Sequence, residues 1–92
     1  MVGRPVSGNL VRKTDTREAA LGAVITELRV KQGWGYEYVA HKVGCNPSYM
    51  NGIERGKHNP TIKVVQAIAD VHHIKLSKMF AIAEKKYERG RR

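Results

Sequence analysis

The side chains that most often carry covalent or metal chemistry are few in this sequence. Cys45 is the single cysteine among 92 residues, which excludes an internal disulfide and a cysteine-based zinc site. His72 and His73 are adjacent, and with His41 and His58 elsewhere no pair has the i, i+4 spacing of two metal ligands on a helix. We find no nucleophile–base pair, paired carboxylates or glycine-rich phosphate loop. We therefore expect no enzymatic activity, metal ion, cofactor or small-molecule substrate, and we expect the histidines to be solvated.

The charge balance indicates a different kind of chemistry. Seventeen Lys and Arg residues against eight Asp and Glu residues give a formal net charge of +9. An excess of this size in so short a chain favours a polyanionic partner, and nucleic acid is the first candidate. No apolar run is long enough to cross a membrane, and residues 1–10 lack the apolar stretch of a signal peptide. We expect a soluble, cytoplasmic protein.

Apolar residues at helical spacing predict about five helices and no strand. Residues 1–14 are expected to be a flexible basic arm, residues 15–88 the folded domain, and residues 89–92 a basic tail. The end of the last helix is expected to fray from Lys85 onwards. The first helix is predicted to begin near Asp15, with Glu18 at the spacing of a capping box. It is predicted to end at Gly33 in the left-handed conformation. Trp34 would pack the corner that follows.

Two short helices come next. One is predicted from Tyr36 to Val43, ending at Gly44. Asn46 followed by Pro47 is typical of an N-cap and a first helical residue, and predicts a third helix that ends at Gly56. Two short helices joined by a turn with glycine are the shape of a helix-turn-helix, in which the second helix can enter the major groove of DNA.

The fourth and fifth helices complete the set. Thr61 can cap the fourth, and the fifth is predicted from about Leu76. The fifth carries an apolar stripe longer than one small domain must cover, which favours a homodimer interface, with the core of the single chain as the alternative. Its members are Leu76, Met79, Phe80, Ala83 and Tyr87.

With these elements in place, the sequence resembles the Cro and phage-repressor (xenobiotic-response-element type) helix-turn-helix family. Over about 60 residues the resemblance rests on Leu28-Arg29, Gly33, Glu37, Val39-Ala40, Val43-Gly44, Ser48, Ile53-Glu54-Arg55-Gly56, Pro60-Thr61, Ile68-Ala69 and Leu76 through Phe80. The run from Tyr49 to Arg55, followed by Asn59 to Lys63, is most similar to restriction–modification controller proteins.

The resemblance implies an all-α, compact five-helix bundle with a lambda-repressor-like helix-turn-helix that binds double-stranded DNA as a homodimer. It also implies a buried ion pair between Arg29 and Glu54. The residues expected at DNA are Tyr36, Pro47, Ser48, Tyr49, Asn51, Gly52, Arg55, Lys57, His58 and Asn59. Gly35 and Tyr36 depart from the hydroxyl cap and Gln usual in the family, and His73 stands where Gly is common.

We therefore expect a sequence-specific transcriptional regulator of the repressor or controller type. Two alternatives stay open at this point: the DNA-binding antitoxin of a toxin–antitoxin pair, and a protein-interaction adaptor with a helix-turn-helix fold. Cys45, in the turn beside the expected DNA face, is interpreted as a small, partly buried apolar residue, with a redox switch as the alternative.

Overall fold

A computed structural model describes residues 14–91, and these residues form five helices without a strand. The helices are α1 (Arg17–Gln32), α2 (Tyr36–Val43), α3 (Pro47–Glu54), α4 (Ile62–Val71) and α5 (Leu76–Gly90). The predicted all-α fold with five helices is confirmed. The basic arm predicted over residues 1–14 lies outside the described residues, apart from Thr14, and so does Arg92 of the basic tail.

Local chemistry sets most of the helix ends. Gly33 and Gly44 adopt φ values of 76° and 89°, which only glycine reaches without strain, and each ends its helix as predicted. Asn46 and Thr61 accept hydrogen bonds from the backbone N–H groups of Ser48 (2.7 Å) and Val64 (3.2 Å). Both predicted caps are therefore present.

The N-cap predicted for the first helix is wrong by one residue. Thr16, not Asp15, is the N-cap of α1, and its hydroxyl accepts a hydrogen bond of 3.0 Å from the N–H of Ala19. Because the helix begins at Arg17, Thr16 alone stands at the position whose side chain reaches the free N–H groups of the first turn. Asp15 is exposed.

The core is assembled from all five helices. Its largest fully buried side chains include Ile25 of α1, Val39 of α2, Ile53 of α3, Ile68 of α4 and Met79 of α5. Burial of each such side chain contributes about 1.5–3 kcal/mol. The core thus fixes α3 between its neighbours.

The C-terminal residues are helical rather than frayed. Helix α5 continues to Gly90 and packs along α1. The Arg17 guanidinium lies 4.3 Å from the centre of the Tyr87 ring, and Lys86 forms an ion pair with Glu27. The Thr14 hydroxyl donates to the carbonyl of Lys86 at 2.7 Å. These contacts with α1 and with Thr14 hold the last turns of α5, and residues 85–90, where fraying was expected, are helical.

Two smaller features complete the fold. His73 has φ 54°, a conformation that glycine adopts more easily, as its position after α4 led us to expect. Within residues 14–91, each helix is either too short or too polar to span a bilayer.

Candidate nucleic-acid interface

Helices α2 and α3 are joined by a short turn that determines how α3 starts. Gly44 turns the chain in the left-handed region, and Asn46 caps the first turn of α3. Pro47 follows as the first helical residue, where a missing N–H costs nothing. The turn therefore presents the start of α3 at the surface, where Pro47 and Ser48 are exposed.

An ion pair locks the inner face of α3 to α1. Glu54 is only 3% exposed, and the Nε atom of Arg29 lies 2.7 Å from its Oε2 and 2.9 Å from its Oε1. The Thr26 hydroxyl donates to the same carboxylate at 3.0 Å, and the Arg29 guanidinium also donates to the Trp34 carbonyl at 3.1 Å. The ion pair implied by the resemblance is confirmed, and its hydrogen bonds compensate the burial of both charges.

The opposite face of α3 carries polar side chains. Ser48, Asn51 and Arg55 follow one another at i, i+3 and i+7, so they share one side of the helix. Ser48 and Arg55 are exposed and Asn51 is half-buried. These three side chains offer a hydroxyl, an amide and a guanidinium, the groups that hydrogen-bond base edges in the major groove.

The loop after α3 adds further polar groups. Lys57, His58 and Asn59 are all exposed, and Arg55 at the end of α3 extends the same surface. In contrast, Tyr36 is half-buried against the core, with the Arg29 guanidinium 5.8 Å from the centre of its ring. The structure thus brings most of the expected contact residues together around α3 and leaves Tyr36 partly within the fold.

Gly52 is not an exposed member of this surface. It is buried, and a Cβ atom added to it would collide with the imidazole ring of His58. The same ring stacks on Tyr49, with ring centres 5.2 Å apart and planes at 28°. The expectation that Gly52 faces a groove is therefore wrong, because the ring of His58 covers it.

The residues of the apolar stripe on α5 differ in their exposure. Met79 is fully buried and Ala83 nearly so, and both belong to the core of the single chain. Neither can form a surface between two chains, which corrects the predicted interface at those two positions. Phe80 remains 37% exposed, and Leu76 and Tyr87 are half-buried.

His72 is a residue that sequence reasoning misplaced. Both of its ring nitrogens are buried without a hydrogen-bond partner, and its ring lies 5.3 Å from that of Trp34, between ring centres. Burial lowers the pKa of His72, an effect that the nearby Glu54 carboxylate opposes and His73 reinforces. The other histidines, at positions 41, 58 and 73, are exposed as expected. The sequence signal for this contact was Trp34, a large aromatic residue at a helix corner that needs a packing partner.

Two further expectations concern the reactivity of Cys45 and metal binding. The thiol is half-buried against the core, and this burial raises its pKa, which disfavours the reactive thiolate. In the part of the chain from Thr14 to Arg91, no three or more His, Cys, Asp and Glu side chains lie together as a metal site.

Comparisons with known proteins agree with this architecture. A sequence model of the family described as a helix-turn-helix domain matches residues 20–76, which include α2, α3 and α4. The chain is also 34% identical, over 56 residues, to an uncharacterised helix-turn-helix-type transcriptional regulator of Archaeoglobus fulgidus, covering 61% of this chain and 80% of the relative. Neither describes an enzyme class.

Solved structures share the fold. The clp gene regulator ClgR from Corynebacterium glutamicum superposes with a TM-score of 0.76 at 18% identity, over 79% of this chain and 78% of that one. A mutant of the restriction-modification controller protein C.Esp1396I gives a TM-score of 0.68 at 27% identity, over 76% of this chain and 93% of that one. The resemblance stated from the sequence is thereby confirmed.

Proposed function

This chain belongs to the helix-turn-helix domain family of transcriptional regulators, and we propose that it binds double-stranded DNA sequence-specifically, as a homodimer, with α3 in the major groove. The observation that carries the proposal is the division of α3 into two faces. Glu54 is locked inward by Arg29, and this leaves Ser48, Asn51 and Arg55 on the outward side. A helix held in this way presents base-reading groups in a fixed direction.

The dimensions and charges of this surface suit the task. An α-helix with its side chains is about 10–12 Å in diameter, which suits the width of the major groove, about 12 Å. Asn51 and Arg55 would read base edges, while Lys57 and Asn59 in the following loop would contact phosphates. Tyr36 is the first residue of α2, and the free N–H groups at the start of that helix carry partial positive charge, which favours a nearby DNA phosphate. The Tyr36 hydroxyl would donate a hydrogen bond to the same phosphate.

A homodimer would use an exposed apolar groove of the single chain. Phe80 is 37% exposed and Ile62 is 63% exposed, and both line a groove of about 480 Å³ between α1, α4 and α5. Leu21 and Val65 lie on the same groove. A second copy covering it would place two α3 helices on two half-sites of one DNA duplex.

The first experiment measures binding and its specificity. Fluorescence anisotropy compares the wild-type chain on the DNA upstream of its own gene with a scrambled duplex of equal composition, at two salt concentrations. We expect a preference of about 10³-fold or more for the upstream DNA. Equal binding to both duplexes contradicts sequence-specific regulation and favours the adaptor. Co-purification of a small partner protein favours the antitoxin.

Asn51→Ala tests the orientation proposed for α3. We expect it to reduce discrimination at one base position by about 1–3 kcal/mol while other positions keep theirs. Gln66→Ala, which removes an exposed amide on α4, serves as the matched control and should leave the discrimination at every base position unchanged. A uniform loss of affinity on every duplex contradicts this placement of Asn51.

A further inference from the structure

One position on the outward side of α3 holds a glycine instead of a polar side chain. Gly52 lies one turn after Ser48, on the side of the helix that Ser48 and Asn51 share, and yet it is buried. What covers it is the imidazole of His58, whose Cδ2 and Nε2 atoms are those nearest to an added Cβ. The imidazole therefore occupies the space that a side chain of α3 would fill.

The ring is held there from more than one direction. Tyr49 stacks on it at 5.2 Å between ring centres, and Tyr49 itself packs against the core. The backbone N–H of Lys57, the residue before His58, donates to the carbonyl of Gly52 at 2.8 Å. Gly56, at φ 75°, allows the chain to turn back along the helix at this point. These contacts attach the loop to α3.

His58 nevertheless keeps an accessible face. The residue as a whole is exposed, and the Nδ1 side of its ring is the side more distant from Gly52. An imidazole nitrogen can donate or accept a hydrogen bond, so it can pair with acceptors and donors on base edges.

We infer that His58 is a specificity-determining residue, which reads a base-pair edge from the α3 surface in place of a side chain at Gly52. The inference rests on the proposed function and deepens it. A residue that belongs to the loop in sequence thus acts as part of the recognition helix. Gly52 is a positioning residue, because any side chain there would displace the imidazole.

The test is selection from a random-sequence DNA duplex library by the full chain. We compare wild type, His58→Ala, Gly52→Ala and the double variant, with His41→Ala as the matched control at an exposed histidine of α2. We expect His58→Ala to weaken the preference at one base position about tenfold and to leave the other positions unchanged. Gly52→Ala should cause the same loss, and the double variant should be no worse than either single variant.

Two outcomes overturn the inference. If His58→Ala lowers affinity equally on all sequences, His58 contacts phosphate instead of a base. If Gly52→Ala keeps the wild-type preference, or if its effect persists undiminished in the His58→Ala background, Gly52 does not act by positioning the imidazole.

An NMR measurement without DNA separates this inference from the proposed function. The Hα resonances of Gly52 should carry a ring-current shift in wild type that disappears in His58→Ala and persists in His41→Ala. An absent shift overturns the positioning role even where DNA is bound. A wild type that shows this shift but selects no sequence contradicts the proposed function, and the base-reading role with it.

Discussion

Arg29 and Glu54 join α1 to α3 through a guanidinium nitrogen that lies within 2.9 Å of both carboxylate oxygens. The pair is placed behind the polar face of α3, so it determines how deeply the helix sits and which side faces outward. Thr26 and the carbonyl of Trp34 supply the remaining hydrogen bonds. Stability and the orientation of the candidate DNA surface therefore depend on the same group of atoms.

Arg29→Ala is expected to lower the free energy of unfolding by about 3–5 kcal/mol, because it leaves the Glu54 carboxylate buried without its cation. Urea unfolding followed by circular dichroism measures the change. Lys86→Ala is the control, since it breaks an ion pair to Glu27, a residue that is exposed, and should cost no more than about 1 kcal/mol. Equal losses in the two variants would contradict a special contribution from the buried pair.

Gly22→Ala is expected to destabilise the fold by about 1–3 kcal/mol, although alanine is the better helix former. A Cβ at Gly22 would collide with the backbone carbonyls of Ile53 and Glu54 and push α3 away from α1. Thermal unfolding is the measurement. Gly35→Ser should instead change stability by only a few tenths of a kcal/mol, in the stabilising direction, since it adds a hydroxyl cap to α2. An unchanged Tm for Gly22→Ala would show that the two helices can separate without cost.

Stability should fall as the pH decreases through about 6.5, because of His72. Its pKa is below the ordinary value in the folded state, so under acidic conditions the unfolded chain binds a proton that the folded chain does not. The loss ends once the pH is below the folded pKa. In His72→Phe, which can keep the aromatic contact with Trp34, this part of the decline should disappear, whereas His41→Gln should retain it. Parallel curves for wild type and His72→Phe, from urea unfolding at a series of pH values, would assign the pH dependence to other groups.

Phe80→Asp should convert the proposed dimer into a monomer in sedimentation, since it places a charge in the exposed apolar groove between α1, α4 and α5. Val30→Asp makes the same change at an exposed apolar residue of α1 outside that groove and should leave the mass unchanged. A Phe80→Asp chain with the wild-type mass would place any self-association on another surface.

Features governed by neighbouring residues in the chain were predictable from the sequence. Gly33 and Gly44 end helices because the left-handed region is open to glycine, and Asn46 followed by Pro47 starts one for equally local reasons. The sequence resemblance also indicated the Arg29–Glu54 pair, although its partners are distant in sequence. The predicted contact residues on α3 and the loop after it lie together on one surface, and their contact with DNA stays a prediction.

Features that depend on distant packing were not predictable in the same way. The sequence resemblance placed Gly52 at the DNA surface, and only the path of the following loop brings His58 over it. The same holds for His72, whose ring nitrogens are buried and whose ring lies against Trp34 from another helix junction. Met79 is the opposite case, because it was predicted at a surface between two chains and is buried within one. Its helical spacing does not reveal whether α1 and α4 or a second chain will cover it.

The contact between Thr14 and the end of α5 has a topological consequence. The Thr14 hydroxyl is bonded to the carbonyl of Lys86, and a Cβ on Gly90 would collide with Thr14, so both ends of the described chain touch. The residue that precedes α1 by two positions and the last turn of α5 therefore lie against each other. A circular permutant that joins these ends by a short linker and opens the turn between α4 and α5 keeps every helix whole. Folding of that permutant to the same structure would show that the packing of the helices, rather than the point at which the chain starts, specifies the fold.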